Sequence, residues 1–101
     1  MTYYVRLFGK GYSYTKGIKS ITDARRIAIN DFKNNMSTTN RPIFSSVDGK
    51  RPIGEVLMDM DSPHSYTYHF IYMIPVYIND RLARVRYYNL KENGKLGKIL
   101  K

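Results

Sequence analysis

The sequence predicts a single α+β domain, an antiparallel sheet of about five to six strands with one α-helix, about residues 21–34, packed on one face. Three observations predict it. Only one stretch carries helical apolar periodicity, several others alternate with period two, and Gly, Asn and Asp at short intervals join those as hairpins. A length of 101 residues suits one domain and excludes a multidomain enzyme.

The first strand is expected from Thr2 to Phe8. Tyr3, Val5 and Leu7 share one face, Tyr4, Arg6 and Phe8 the other, and Gly9-Lys10-Gly11 breaks the run. A short hairpin partner is expected at Tyr12 to Thr15. The helix follows, with Ser20 and Asp23 fitting a capping box whose hydroxyl and carboxylate satisfy first-turn amides, and Thr22 as the rival cap. Ala24, Ile27, Ala28 and Phe32 form its buried stripe, while Arg25, Arg26, Asn30 and Lys33 fall mostly opposite and make the outer face basic.

The polar run from Asn34 to Asn40 reads as a loop returning to the sheet before Pro42. Asp48-Gly49 between two apolar runs, Ile43–Val47 and Ile53–Met58, marks a hairpin, because a primed turn needs positive φ. Pro52 places the start of the second of these strands at an edge or bulge. From Tyr66 to Ile78 the alternation is long and its middle is apolar on both faces, as in a central strand. Pro75 there should mark a bulge or the end of pairing. Asn79-Asp80 turns the chain into Arg81–Leu90, and Asn93-Gly94 brings Lys95–Leu100 back beside it. One helix cannot cover so many strands, so the second sheet face must meet solvent, curl on itself or dock to a partner.

The function classes narrow by exclusion. With no cysteine, a disulfide framework, a zinc finger and thiol chemistry are all ruled out. No P-loop or nucleophile-elbow spacing occurs, and the glycines near Lys10 and Lys16 read as hairpin glycines. Asp59, Asp61 and His64 lie within six residues, but their spacing matches no defended metal motif and reads as a polar turn. His69 reads as a half-buried structural residue. No cofactor is expected. No apolar run approaches a spanning length, and the first residues lack the layout of a signal peptide, so the expected compartment is the cytoplasm with no membrane partner.

Charge carries the functional signal. Seventeen basic against eight acidic side chains give +9, and the excess collects before residue 59 and after residue 78, on either side of a nearly uncharged aromatic segment. If Tyr3, Val5 and Leu7 face the helix, Tyr4, Arg6 and Phe8 point away, and alternation likewise groups Arg84, Arg86 and Tyr88 opposite Ala83, Val85 and Tyr87. Cations interleaved with rings suit single-stranded nucleic acid, where bases stack at about 1–3 kcal/mol each. Lys16, Lys19, Arg25, Arg26 and Lys33 offer a second, phosphate-binding route around the helix, and Arg81 extends the C-terminal group.

The favoured expectation is a small non-enzymatic protein that engages nucleic acid or a nucleoprotein. The alternative is a protein-binding module, such as a phage or mobile-element inhibitor of a larger host enzyme, meeting an acidic protein surface or a second copy of itself, since Tyr and Arg also dominate protein hot spots. In pattern alone, Tyr72 to Tyr88 with Arg84-Val85-Arg86-Tyr87-Tyr88 resembles the sheet core of small basic ribonuclease toxins that work without a metal. Those toxins place two helices before the sheet, whereas here one helix follows the first strand, so no catalytic residue is carried over.

Overall fold

The computed structural model describes residues 1–9, 13–35, 37, 39–45, 51–59 and 69–100. Its elements run β1 (Tyr4–Val5), α1 (Ile21–Asn34), β2 (Arg41–Phe44), β3 (Gly54–Asp59), β4 (His69–Ile78), β5 (Arg81–Leu90) and β6 (Leu96–Ile99). The six strands lie side by side in chain order, every neighbour antiparallel. This is the expected α+β arrangement, and β4 is central as its two-faced apolarity requires. No helix among the described residues is long and apolar enough to cross a membrane.

The first strand is shorter than the alternation suggests. Tyr3 exchanges backbone hydrogen bonds with Ile18 (2.7 and 2.8 Å), and the Thr15 hydroxyl accepts from the Val5 amide at 3.0 Å in place of a ladder carbonyl. The hairpin partner therefore reaches Ile18; Tyr12, where its start was expected, lies outside the described residues. After Leu7 the chain turns. The Phe8 amide donates to Asp31 Oδ2 at 2.9 Å and the Phe8 ring lies 5.3 Å from the Arg41 guanidinium, so Phe8 joins the helix side rather than pointing away.

Helix α1 begins and ends as expected. Ser20 is its N-cap, accepting from the Asp23 amide at 3.4 Å. The Asp23 carboxylate does not complete a capping box; it pairs with Arg26 one turn on. Ala24, Ala28, Ile29 and Phe32 are buried while Ile27 is only half-buried, which shifts the apolar stripe toward Ile29. That stripe meets Val5, Ile43, Val56, Phe70, Tyr72 and Leu90 of five strands, with Phe32 and Phe70 at 5.7 Å between ring centroids. His69 is exposed rather than half-buried, and Asp61 and His64 lie outside the described residues.

Two glycines are fixed by this packing. A Cβ on Gly54 would stand 1.9 Å from the Tyr72 hydroxyl, so the glycine makes room for the buried phenol. Gly94 turns the chain into β6 at φ +89 against the Thr22 carbonyl, where a side chain would be both strained and obstructed.

The turns and Pro75 follow their chemistry. Asn79 and Asp80 both have positive φ, 50 and 65, as a tight primed hairpin requires. Pro75 lies past Met73, the last β4 residue paired with β3, and next to the irregularity at Val76/Tyr77. The expected hairpin turn at Asp48-Gly49 lies outside the described residues, although β2 and β3, which it would join, are paired antiparallel.

The sequence gives no warning of the fold's buried ion pair. Arg41, fully buried, donates from Nε to Asp31 Oδ2 at 2.8 Å, from Nη2 to the Asn35 carbonyl at 3.0 Å, and from Nη1 to the carbonyls of Ser37 (2.9 Å) and Thr39. Its guanidinium also covers the Phe32 ring at 3.9 Å. Removing one member of such a pair strands the other charge out of water, typically at about 3–5 kcal/mol, whereas removing both spares that penalty. Urea unfolding of Arg41→Met and of Asp31→Asn should each lose stability of that order. The double variant should lose clearly less than the sum of the two, and additive losses would contradict the coupling.

Candidate nucleic-acid interface

The folded chain first decides which cations remain available. Arg41 is consumed by the core. Arg25, expected on the solvent face of the helix, is half-buried: its guanidinium covers the Tyr72 ring at 4.5 Å and donates to the Gly94 carbonyl at 3.4 Å. It leaves the interface because the β5–β6 turn folds over the start of the helix. Arg26 pairs with Asp23, and Lys33 with Glu92 at 3.3 Å. Such exposed pairs contribute only about 0–1 kcal/mol to stability. They nevertheless place an acidic group beside each of the two remaining helix cations.

Lys16 and Lys19 are exposed, and Arg6 is half-buried at its bridge with Tyr14. Arg81, Arg84 and Arg86 are exposed on β5 and form no ion pair among the described residues. The register divides these groups. Residues paired across an antiparallel ladder share a face, so Tyr4 lies with Phe44, Met73 and Tyr87 away from the helix. Arg86 lies with Ile74, Arg84 with Val76, and Tyr88 with Tyr72, all on the helix side. Three strands separate β1 from β5. The cations and rings of those two strands therefore do not form one platform.

They form an arm instead. Strand β3 stops pairing at Met73, and on the other side the last backbone bond to β5 is from the Leu100 amide to the Tyr87 carbonyl at 2.7 Å. From Ile74 to Arg86 the β4–β5 hairpin continues as a two-stranded ribbon of about 14 Å, at about 3.4 Å per residue. Ile74, opposite Arg86, still packs against the core, and Arg84 and Arg86 lie side by side and exposed on the same face. Ile78 and Leu82, 59% and 58% exposed, sit at the tip with Arg81.

Arg51, which charge counting did not single out, braces this tip. Its guanidinium donates to the Asp80 carboxylate and to the Asp80 carbonyl, each at 3.0 Å, and lies 5.0 Å from the Tyr77 ring. The one acidic side chain of the arm is thereby neutralised, leaving Arg81, Arg84 and Arg86 without an acidic partner among the described residues. Only the loop length between β2 and β3 could have suggested that Arg51 reaches the next hairpin.

The chain matches no known protein family, no protein of known function and no solved structure. Among the described residues no group of three or more His, Asp or Glu could hold a metal ion. The chemistry on offer at the arm is cationic and apolar contact.

The burial of Tyr72 yields a pH dependence. Burial raises the Tyr72 phenol above its ordinary value of 10.0, with the positive charge of Arg25 opposing. The folded state then holds this proton where the unfolded chain has released it, so stability falls as pH rises past the ordinary value toward the folded one. Urea midpoints measured from about pH 9 to about pH 11 should fall more steeply in the native protein than in Tyr72→Phe, and equal slopes would exclude Tyr72 as the origin.

Proposed function

We propose that the protein binds nucleic acid, free or within a nucleoprotein, through Arg81, Arg84 and Arg86 on the β4–β5 arm. The observation that carries this reading is the placement of charge: Arg26 and Lys33 of the helix have acidic partners, whereas these three, exposed like Lys16, Lys19, Lys91, Lys95 and Lys98 and without an ion pair among the described residues, are gathered on one ribbon. Guanidiniums free of carboxylates can replace the counterions of a phosphate backbone, which is the main source of affinity for a polyanion. Lys16, Lys19 and Arg6 add a weaker, distributed field. The role is that of a binding protein working without a cofactor.

Arg84→Glu with Arg86→Glu should abolish binding to labelled oligonucleotides while circular dichroism stays unchanged, because neither residue takes part in the core. Arg26→Glu with Lys33→Glu should weaken binding only slightly. In the native protein affinity should fall log-linearly with salt, and Arg84→Ala with Arg86→Ala should reduce that slope by about 2. Binding that survives the glutamate pair and is lost with the helix pair would move the interface to the helix.

A second reading rests on a different surface. Leu57, Ile71, Met73, Val85 and Tyr87 share the sheet face away from the helix and are half-exposed, with no element among the described residues packed on them. A protein partner or a second copy of the chain would bury such a face. Sedimentation of nuclease-treated protein decides it. A monomer at all concentrations would remove the homodimer, and a dimer stable in high salt and dissociated by Met73→Lys would establish it.

A further inference from the structure

We propose that the ligand of the arm is specifically a B-form DNA duplex, with the β4–β5 ribbon seated tip-first in the major groove; this rests on the reading above and names its substrate class. A single strand is held by a row of rings on which successive bases stack, with cations beside them. Here Tyr4 and Arg6 occupy one face, Arg84 and Arg86 the other, with three strands between. Tyr88 is half-buried between its partners Tyr72 and Ile99, and Tyr77 lies under the Arg51 guanidinium. Among the described residues no row of open rings accompanies the arginines of the arm.

The shape that is built fits a groove. Two strands about 4.8 Å apart with their side chains make a ribbon that the major groove of B-DNA, about 12 Å wide, admits. The deep, narrow major groove of an A-form RNA helix does not admit it. Behind the leading turn at Asn79-Asp80, Ile78 and Leu82 would enter on the two faces of the ribbon, and aliphatic groups at the groove floor have a natural partner in the thymine methyl. Arg84 and Arg86, about 7 Å apart along β5, would follow the phosphates at the groove wall. Asp80 would otherwise meet a phosphate, and its pairing with Arg51 removes that repulsion while bracing the turn.

The test titrates one labelled duplex DNA of about twenty base pairs, one of its single strands and the duplex RNA of the same sequence, at about 50 and about 200 mM salt. The expected result is DNA duplex bound at least about tenfold more tightly than either alternative, with Ile78→Ser plus Leu82→Ser reducing that preference to about threefold or less and leaving the salt slope unchanged. Single-stranded DNA or duplex RNA bound as tightly as duplex DNA, and released by Arg84→Glu with Arg86→Glu, would overturn the duplex assignment and leave the arm as the interface. A preference untouched by the tip substitutions would overturn the tip-first placement. No binding to any of the three would overturn the nucleic-acid reading itself.

Discussion

The ion pair between Arg41 and Asp31 is the constraint on which the rest of the structure depends. A charged pair withdrawn from water is tolerated only when every remaining donor and acceptor is satisfied, and here four separate pieces of chain supply the partners. Asp31 comes from the last turn of α1 and Arg41 opens β2. The Phe8 amide arrives from the end of β1, and carbonyls of Asn35, Ser37 and Thr39 come from the intervening loop. Asn35 Nδ2 donates to the second carboxylate oxygen at 3.0 Å. The positive charge also lies beside the C-terminal end of the helix dipole, where a cation is favoured. The pair thus fixes where the helix stops relative to the first two strands, and with it which sheet face the apolar stripe covers.

From that placement follows the division of charge over the surface. The helix crosses one part of the sheet, and the β5–β6 turn closes over its beginning, drawing Arg25 onto Tyr72. Each helix cation that remains outside has an acidic neighbour. The longest hairpin, by contrast, extends past β3 on one side and past β6 on the other, and its cations find no acidic partner among the described residues. A formal charge of +9 is a poor descriptor of such a protein, because part of it is structural and part is locally cancelled. The uncompensated part on the arm is what a polyanion would meet at closest range.

Elements whose determinants are local were legible in the sequence. The helix from Ile21 to Asn34, its Ser20 cap and the turns at Asn79-Asp80 and Asn93-Gly94 depend on residues within a few positions of one another, and alternation gave the centrality of β4 and its end at Ile78, while its expected start at Tyr66 lies outside the described residues. What failed depends on contacts distant in sequence. Arg25 looks solvent-facing on a helical wheel, and nothing local shows that residues 91–95 will fold over it. Arg41 looks like one more surface cation, because its carboxylate partner is ten residues away and its carbonyl partners leave no compositional trace. Strand alternation correctly grouped Arg84, Arg86 and Tyr88, yet period two cannot say on which side of the sheet a strand's face will fall relative to another strand. The single-strand platform was lost at that step and the arm gained.

The arm also raises a question of stability, because a two-stranded ribbon in water is marginal on its own. Three features of this chain answer it. The same strands that form the ribbon continue into the sheet, where β4 pairs with β3 from His69 to Met73 and β5 pairs with β6, so the base is held by the core. The irregularity at Val76/Tyr77 increases the local twist and coils the ribbon, which favours its cross-strand contacts. The tip is closed by two residues already in the conformation a primed turn needs and is tied sideways by Arg51 to the segment that precedes β3. None of these supports uses Arg81, Arg84 or Arg86. Folding therefore places few demands on those three positions, and their clustering on one ribbon calls for an explanation outside the fold.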